Sequence, residues 1–117
     1  MNPPVNMADV LMAVQAITKV GVGELRGDSR LTHVNRARML VYFVASQCFG
    51  LSTPLIAKGT GRDAGTIRNA IERLTAKTLF DPALVDRVED AAINIAEARL
   101  AGRTFNPIYA PMEKQDA

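Results

Sequence analysis

The stretch that decides the fold is LSTPLIAKGTGRDAGTIRNAIERL, residues 51–74. It contains two short helical patterns separated by a glycine-containing turn. Ser52 can cap the first helix, and Pro54 suits its first turn because a missing N–H has no cost there. Asp63 can cap the second helix by accepting a hydrogen bond from the N–H of Thr66. The spacing predicts a helix-turn-helix over about residues 52–77.

The second of these helices has two chemically different faces. Ile67, Ile71 and Leu74 recur at helical spacing and are expected to point to the core. The other face carries small residues and then polar and charged ones, namely Ala64, Gly65, Arg68, Asn69 and Glu72. Small residues permit close approach to DNA, and Arg and Asn can bond the edges of guanine and adenine. This composition is typical of a helix whose N-terminal end enters a major groove.

The composition of the whole chain favours one small helical domain. The 117 residues are 48% hydrophobic and only 5% aromatic, which suits an all-α fold better than a β-sandwich. A single Cys48 and a single His33 cannot form a disulfide framework or a multi-ligand metal site, so we expect no metal and no cofactor. No apolar run is long enough to cross a membrane. We therefore expect a cytoplasmic, nucleoid-associated protein with no membrane partner.

The charge is concentrated in the middle of the chain. The formal net charge is only +2, but residues 26–77 carry nine basic and three acidic side chains. Six of the nine basic residues are arginines before residue 69, and arginine binds phosphates and guanine edges with its forked guanidinium group. The flanking segments are acidic. An anionic polymer is a reasonable partner for the middle segment, although a solvated basic surface would have the same composition.

Helical periodicity extends on both sides of the central stretch. It predicts a first helix from Met7 to about Gly21, a buried helix over about 34–49, and an extra helix over about 82–101. Residues 1–102 are predicted to form a single helical DNA-binding domain, followed by a tail at 103–117. The apolar stripe of the extra helix can pack on its own domain. Alternatively, this helix and the tail can bind a second copy or another protein.

An ordered set of short motifs resembles the C-terminal DNA-binding domain of the bacterial chromosomal replication initiator DnaA, a Trp-repressor-like helix-turn-helix. The motifs are Gly-Val-x-x-Leu at 21–25, Ser29-Arg30, Arg36-x-Arg38, Tyr42, Leu51-Ser52, Ile56, Gly61-Arg62-Asp63 and Thr66-Ile67. The resemblance implies that residues of about 27–38 form the basic loop of the family. It also implies that Arg30 inserts into a minor groove beside the recognition helix.

The sequence departs from that family at the start of the recognition helix. The family has Asp-His-Thr-Thr-Val where this chain has Asp63-Ala64-Gly65-Thr66-Ile67, so the His and the first Thr that read bases are missing. The resemblance therefore implies the fold of the family, but it does not imply which DNA sequence is recognised. The residues that we expect to contact DNA are Arg30, His33, Arg36, Arg38, Thr53, Pro54, Lys58, Arg62, Asp63, Ala64, Gly65, Thr66, Arg68 and Asn69.

Two function classes follow from these observations. The first is sequence-selective binding of double-stranded DNA by a free-standing bacterial or phage regulator of transcription. The second is a protein-interaction module on the same fold that has lost specific DNA readout and acts as an adaptor or modulator of replication or transcription. The sequence lacks a Gly-x4-Gly-Lys-Ser/Thr phosphate loop and a Ser-His-acid arrangement, so we expect neither the ATP-driven motor of an initiator nor an enzyme.

Overall fold

The first helix, α1 (Met7–Thr18), begins with a reciprocal cap in the computed structural model, which describes residues 4–76 and 80–102. Asn6 Oδ1 accepts the N–H of Asp9 at 2.9 Å, and Asp9 Oδ2 accepts the N–H of Asn6 at 3.0 Å. The helix ends at Thr18 because Lys19 adopts a left-handed conformation with φ +67°. The predicted helix is confirmed, but Lys19 ends it before Gly21.

The central helix begins earlier than expected. After the short α2 (Val22–Arg26), α3 (Thr32–Phe43) continues directly into a π-helical turn (Val44–Cys48). The predicted loop over 27–38 is therefore wrong in its second half, because residues 32–38 are helical. The physical reason is burial: Val34, Ala37 and Arg38 already lie on the face of α3 that packs into the molecule. The non-helical part of the loop covers only residues 27–31.

The remaining helices lie where the sequence predicts them. They are α4 (Thr53–Thr60), α5 (Ala64–Ala76) and α6 (Pro82–Leu100). α6 begins with Asp81 as its cap and Pro82 in its first turn, where the missing N–H has no cost. Within residues 4–76 and 80–102 the chain forms six α-helices and no strand, which confirms the all-α class.

One continuous core joins the helices. α3 lies at its centre and contacts α1, α2 and α5, while α6 packs along α1. The side chains of α6 that are buried in this packing are Val88, Ala92, Ile95, Ala96 and Ala98. Because its apolar stripe contacts α1 of the same chain, any binding of a partner through residues 82–101 has to use the rest of the helix. The predicted tail, 103–117, lies outside the described residues.

A close contact holds α4 against α1. A Cβ atom built on Gly59 would come within 2.6 Å of Met7 Cβ, so only glycine allows this approach of the two helices. The described helices include none that is long and apolar enough to cross a membrane.

Candidate nucleic-acid interface

α4 and α5 are joined by a three-residue turn whose conformation follows from its sequence. Ser52 Oγ caps α4 by accepting the N–H of Leu55 at 3.4 Å, and Pro54 lies in the first turn. Gly61 ends α4 in the left-handed region, with φ +70°, where a side chain would be strained. The N–H of Arg62 then donates to the carbonyl of Ala57 at 3.0 Å. The turn is thus closed by backbone hydrogen bonds before α5 begins.

Asp63 caps the start of α5, as the sequence predicts. Its Oδ2 atom accepts the hydroxyl of Thr66 at 2.7 Å and the N–H of Thr66 at 3.0 Å, and its Oδ1 atom accepts the N–H of Gly65 at 3.3 Å. The hydroxyl of Thr66, then its N–H and that of Gly65, hold the pKa of the Asp63 carboxyl below its ordinary value. This end of the helix therefore carries a negative charge at neutral pH.

The two faces of α5 have the predicted chemistry. Ile67 and Leu74 are buried together with Ala70, while Ile71 is half-buried. Ala64 and Gly65 are also only half-buried, at the end of the helix nearest the turn. The side chains that face solvent along α5 are Thr66, Arg68, Asn69, Glu72 and Arg73. An amide and two guanidinium groups are thus exposed along α5, while the hydroxyl of Thr66 already donates to Asp63.

Arg38, which we expected to contact DNA, has a structural role inside the protein. The residue is only 7% exposed. Its Nε donates to the carbonyl of Leu25 at 3.0 Å, and its Nη2 donates to the carbonyls of Glu24 and Gly27 at 2.8 and 2.7 Å. Its Nη1 donates to the carbonyl of Ser29. The guanidinium group is used in folding residues 24–29 around itself, so it is not presented to solvent.

Arg62 connects the turn between α4 and α5 to the same loop. Its Nη1 donates to the carbonyl of Arg26 at 3.1 Å, and its Nη2 donates to the carbonyl of Gly27. The carbonyl of Gly27 therefore accepts hydrogen bonds from both Arg38 and Arg62. These contacts span 35 and 36 residues of sequence and fix the loop against the turn.

Tyr42 lies close to both guanidinium groups. Burial raises the pKa of its phenol, and the positive charges of Arg62 and Arg38 offset part of that rise. The phenol is therefore neutral at neutral pH, and it lies beside the two guanidinium groups that bind the loop. Tyr42, like the two arginines, is one of the residues on which the resemblance depends.

A cleft of about 800 Å³ separates the loop from the start of α5. One side is formed by Asp28, Ser29, Arg30 and Asn35, and the other by Gly61, Arg62 and Asp63. Arg30 is exposed at this cleft. The contacts of Arg62 thus place Arg30 and the beginning of α5 on the same side of the molecule.

The other predicted contact residues occupy three places. His33 and Arg36 are exposed on the first two turns of α3, directly after the loop. On α4, Pro54 and Lys58 are exposed and Thr53 is half-buried. Lys58 lines a different groove, together with Arg26. The structure therefore groups Arg30 with the start of α5, but places Lys58 at a separate groove.

Two further exposed arginines lie outside the set that the sequence predicts to contact DNA. Arg26 ends α2 beside the loop, and Arg73 lies on the last turns of α5. Both belong to the basic segment of residues 26–77, whose charge is the sequence feature that predicts an anionic partner. The exposure of Arg26 depends on the path of residues 24–29 around Arg38 and Arg62, which the local pattern does not contain.

Cys48 has the environment of an unreactive thiol. Burial raises its pKa to about 11, and the negative charges of Glu89 and Asp86 add to that rise. The thiol is therefore protonated at neutral pH. Among the residues that the structure describes, no cluster of three or more His, Cys, Asp or Glu side chains could hold a metal ion.

No protein-family model matches the chain, and no curated protein matches it.

Proposed function

We propose that this protein binds double-stranded DNA with sequence selectivity, as a regulator of transcription. In this proposal α5 enters the major groove and Arg30 enters the adjacent minor groove. α4, the turn and α5 would act as a helix-turn-helix of the Trp-repressor-like class, as in the DNA-binding domain that the sequence resembles. The single observation that carries the proposal is the pair of hydrogen bonds from Arg62 to the loop, because they hold Arg30 beside the start of α5.

The chemistry of the exposed side chains supports this proposal. Arg68 and Asn69 follow each other on the exposed face of α5, where an Arg can bond guanine and an Asn can bond adenine. Thr66 is exposed one turn earlier, and half-buried Ala64 and Gly65 leave room for a close approach. Three or four base-contacting side chains are usual for a recognition helix. This arrangement is compatible with selective readout despite the missing His-Thr pair.

The exposed cations around α5 would supply contacts to phosphates. Arg36 lies after the loop and Arg73 lies along α5, and both are exposed. Contacts between cations and phosphates release counterions, so the affinity should fall as the salt concentration rises. A slope near the number of phosphates contacted is expected when the logarithm of the affinity is plotted against that of the salt concentration.

The proposal is tested by selecting bound sequences from a random pool of double-stranded DNA and then measuring affinity by fluorescence anisotropy. An enriched motif is expected, with salt-dependent binding. Replacing Arg30 and Arg68 together by alanine should weaken binding to the selected sequence at least about 30-fold, because each base-reading Arg contributes about 1–3 kcal/mol. Arg87→Ala is the matched control, since Arg87 is an exposed cation on α6, away from this surface. It should leave the affinity unchanged.

Two results would contradict the proposal. One is an affinity for DNA that barely changes with salt. The other is a double variant of Arg30 and Arg68 that binds as well as the wild-type protein. Retention of DNA without any enriched motif, combined with a stable protein complex, would instead favour the interaction module as the function.

A further inference from the structure

A second surface of the molecule, separate from the face of α5, forms an apolar groove. The groove has a volume of about 750 Å³ and lies between the N-terminal part of α1, α2 and α4. Its apolar walls are formed by Val5, Leu11, Met12, Val22, Leu51 and Leu55. The close contact between Gly59 and Met7 brings α4 directly against α1 at this groove. Leu55 remains 52% exposed, which is unusual for a leucine beside so many apolar side chains.

Two cations lie at this groove. Arg26, at the end of α2, and Lys58, on α4, both line it and are both exposed. Among the described residues, no acidic side chain lines the groove with them. An occupant that combines apolar side chains with negative charges would therefore match both the walls and the cations.

The end of α6 lies beside one wall of the groove. Arg99, in the last turn of α6, donates to the carbonyl of Pro4 at 2.9 Å and binds Asp9 in the first turn of α1. The groove is lined by residues between these two partners, from Val5 to Ala8. Gly102 follows α6 in a left-handed conformation, with φ +74°. The chain therefore leaves the described body next to the groove.

The sequence that follows Gly102 has the chemistry that the groove requires. Its apolar side chains are Phe105, Ile108, Tyr109 and Met112, and residues 113–117 carry two acids, Glu113 and Asp116, against one lysine. An extended chain covers about 3.3 Å per residue, so the ten residues 103–112 can reach about 33 Å. That distance is about three helix diameters. The tail is thus long enough to extend from the end of α6 into the groove.

We propose that residues 105–112 dock in the groove between α1, α2 and α4 of their own chain, with the acidic side chains that follow facing Arg26 and Lys58. Docking would cover Leu55 and bury apolar surface on both partners, which is favourable in water. The charges would also fix the orientation of the tail in the groove, because they would place its acidic end beside the two cations. This proposal does not depend on DNA binding.

A single tryptophan provides the test, because the chain has none of its own. Tyr109→Trp places the probe in the tail of the full-length protein, and a peptide of residues 103–117 with the same substitution gives the accessible reference. In the protein, the emission should shift to shorter wavelength, and acrylamide should quench it at least about threefold less efficiently than in the peptide, because a docked indole is shielded from water.

Two variants separate docking in this groove from burial elsewhere. Leu55→Asp should restore the emission and quenching of the free peptide. Leu31→Asp is the matched control, since Leu31 is 59% exposed and lies outside the groove, and it should change neither. Lys58→Glu should also release the probe, and a second change, Glu113→Lys, should restore protection by exchanging the charges. Circular dichroism of each variant confirms that the helices are intact.

Three results would overturn the proposal. The first is a probe that is quenched equally in the protein and in the peptide. The second is protection that persists in Leu55→Asp and in Lys58→Glu, which would place the tail on another surface. The third is protection that is lost on dilution, which would mean that the groove holds the tail of a second copy.

Discussion

Arg99 in α6 binds Asp9 in α1 through both carboxylate oxygens, with Nε 3.2 Å from Oδ1 and Nη2 2.9 Å from Oδ2. The side chain of Asp9 is 2% exposed and that of Arg99 is 40% exposed. The two residues are 90 positions apart in sequence. Asp9 also takes part in the cap of α1 through Asn6. A single carboxylate thus begins the first helix and attaches the last one to it.

Replacing Asp9 by alanine should therefore destabilise the whole fold. The change removes the ion pair and the acceptor of the Asn6 N–H, and it leaves part of the Arg99 guanidinium group without a partner. We expect the free energy of unfolding to fall by about 2 kcal/mol, as measured by urea denaturation. Asp90→Ala, at an exposed acid of α6, is the control and should change stability little. A loss below about 0.5 kcal/mol for Asp9→Ala, the range of ordinary surface changes, would show that the pair is not stabilising.

Most of the helices can be predicted from the sequence because their signals are local. The pair Asp81-Pro82 marks the start of α6, and Asp63, as a helix cap, marks the start of α5. The pairing of Arg99 with Asp9 cannot be predicted in this way, since nothing local relates the two residues. An acid inside an apolar segment, three positions after Asn6, was the available signal of a buried partner.

Arg38 and Arg36 lie two positions apart on α3, but substitution should lower the stability of the fold at Arg38 and leave it almost unchanged at Arg36. Arg38→Met leaves the carbonyls of Glu24, Leu25 and Ser29 without this donor, so the free energy of unfolding should fall by about 3 kcal/mol. Arg36→Met removes an exposed side chain and should change stability by less than about 0.5 kcal/mol. If Arg36 contacts phosphate, this second variant should weaken DNA binding and reduce the salt slope by about one.

Thermal denaturation and DNA titration of the two variants check this prediction. Equal stability of Arg38→Met and Arg36→Met would contradict the role of Arg38 as the centre of the loop. The contrast also explains why this part of the site was difficult to predict. A basic residue in a basic segment has the same appearance in sequence whether it faces phosphate or backbone carbonyls, and only the path of residues 24–29 distinguishes the two.

The cap of α5 should make stability depend on pH. Because the folded pKa of Asp63 lies below its ordinary value of 3.8, the carboxylate stabilises the fold at pH values above 3.8. That stabilisation is lost as the pH falls through the folded pKa. Thr66→Val removes the hydroxyl, which is the largest cause of the shift, and should raise the pKa of Asp63 toward its ordinary value.

NMR titration of the Asp63 carboxyl carbon measures the pKa directly. Thr66→Ser is the matched control, because it retains the hydroxyl, and it should leave the pKa close to that of the wild-type protein. An unchanged pKa in Thr66→Val would show that the backbone N–H groups of Thr66 and Gly65 alone are responsible.

The last prediction concerns Arg62, which the sequence grouped with the residues that contact DNA. In the structure it donates to the carbonyls of Arg26 and Gly27, so its contribution should be to position the loop that carries Arg30. Arg62→Gln should then weaken DNA binding mainly by displacing Arg30. In a double-mutant cycle with Arg30→Ala, the two losses of binding free energy should fall short of additivity by at least about 0.5 kcal/mol.

Arg73 provides the control for this cycle, because it is exposed on α5 and contacts no residue of the loop in the part of the chain that the structure describes. The losses from Arg73→Gln and Arg30→Ala should add. Salt dependence gives a second readout: if Arg62 contacts a phosphate directly, Arg62→Gln lowers the salt slope even in the Arg30→Ala background. Additive losses for Arg62 and Arg30, together with that lower slope, would assign Arg62 to the DNA and not to the loop.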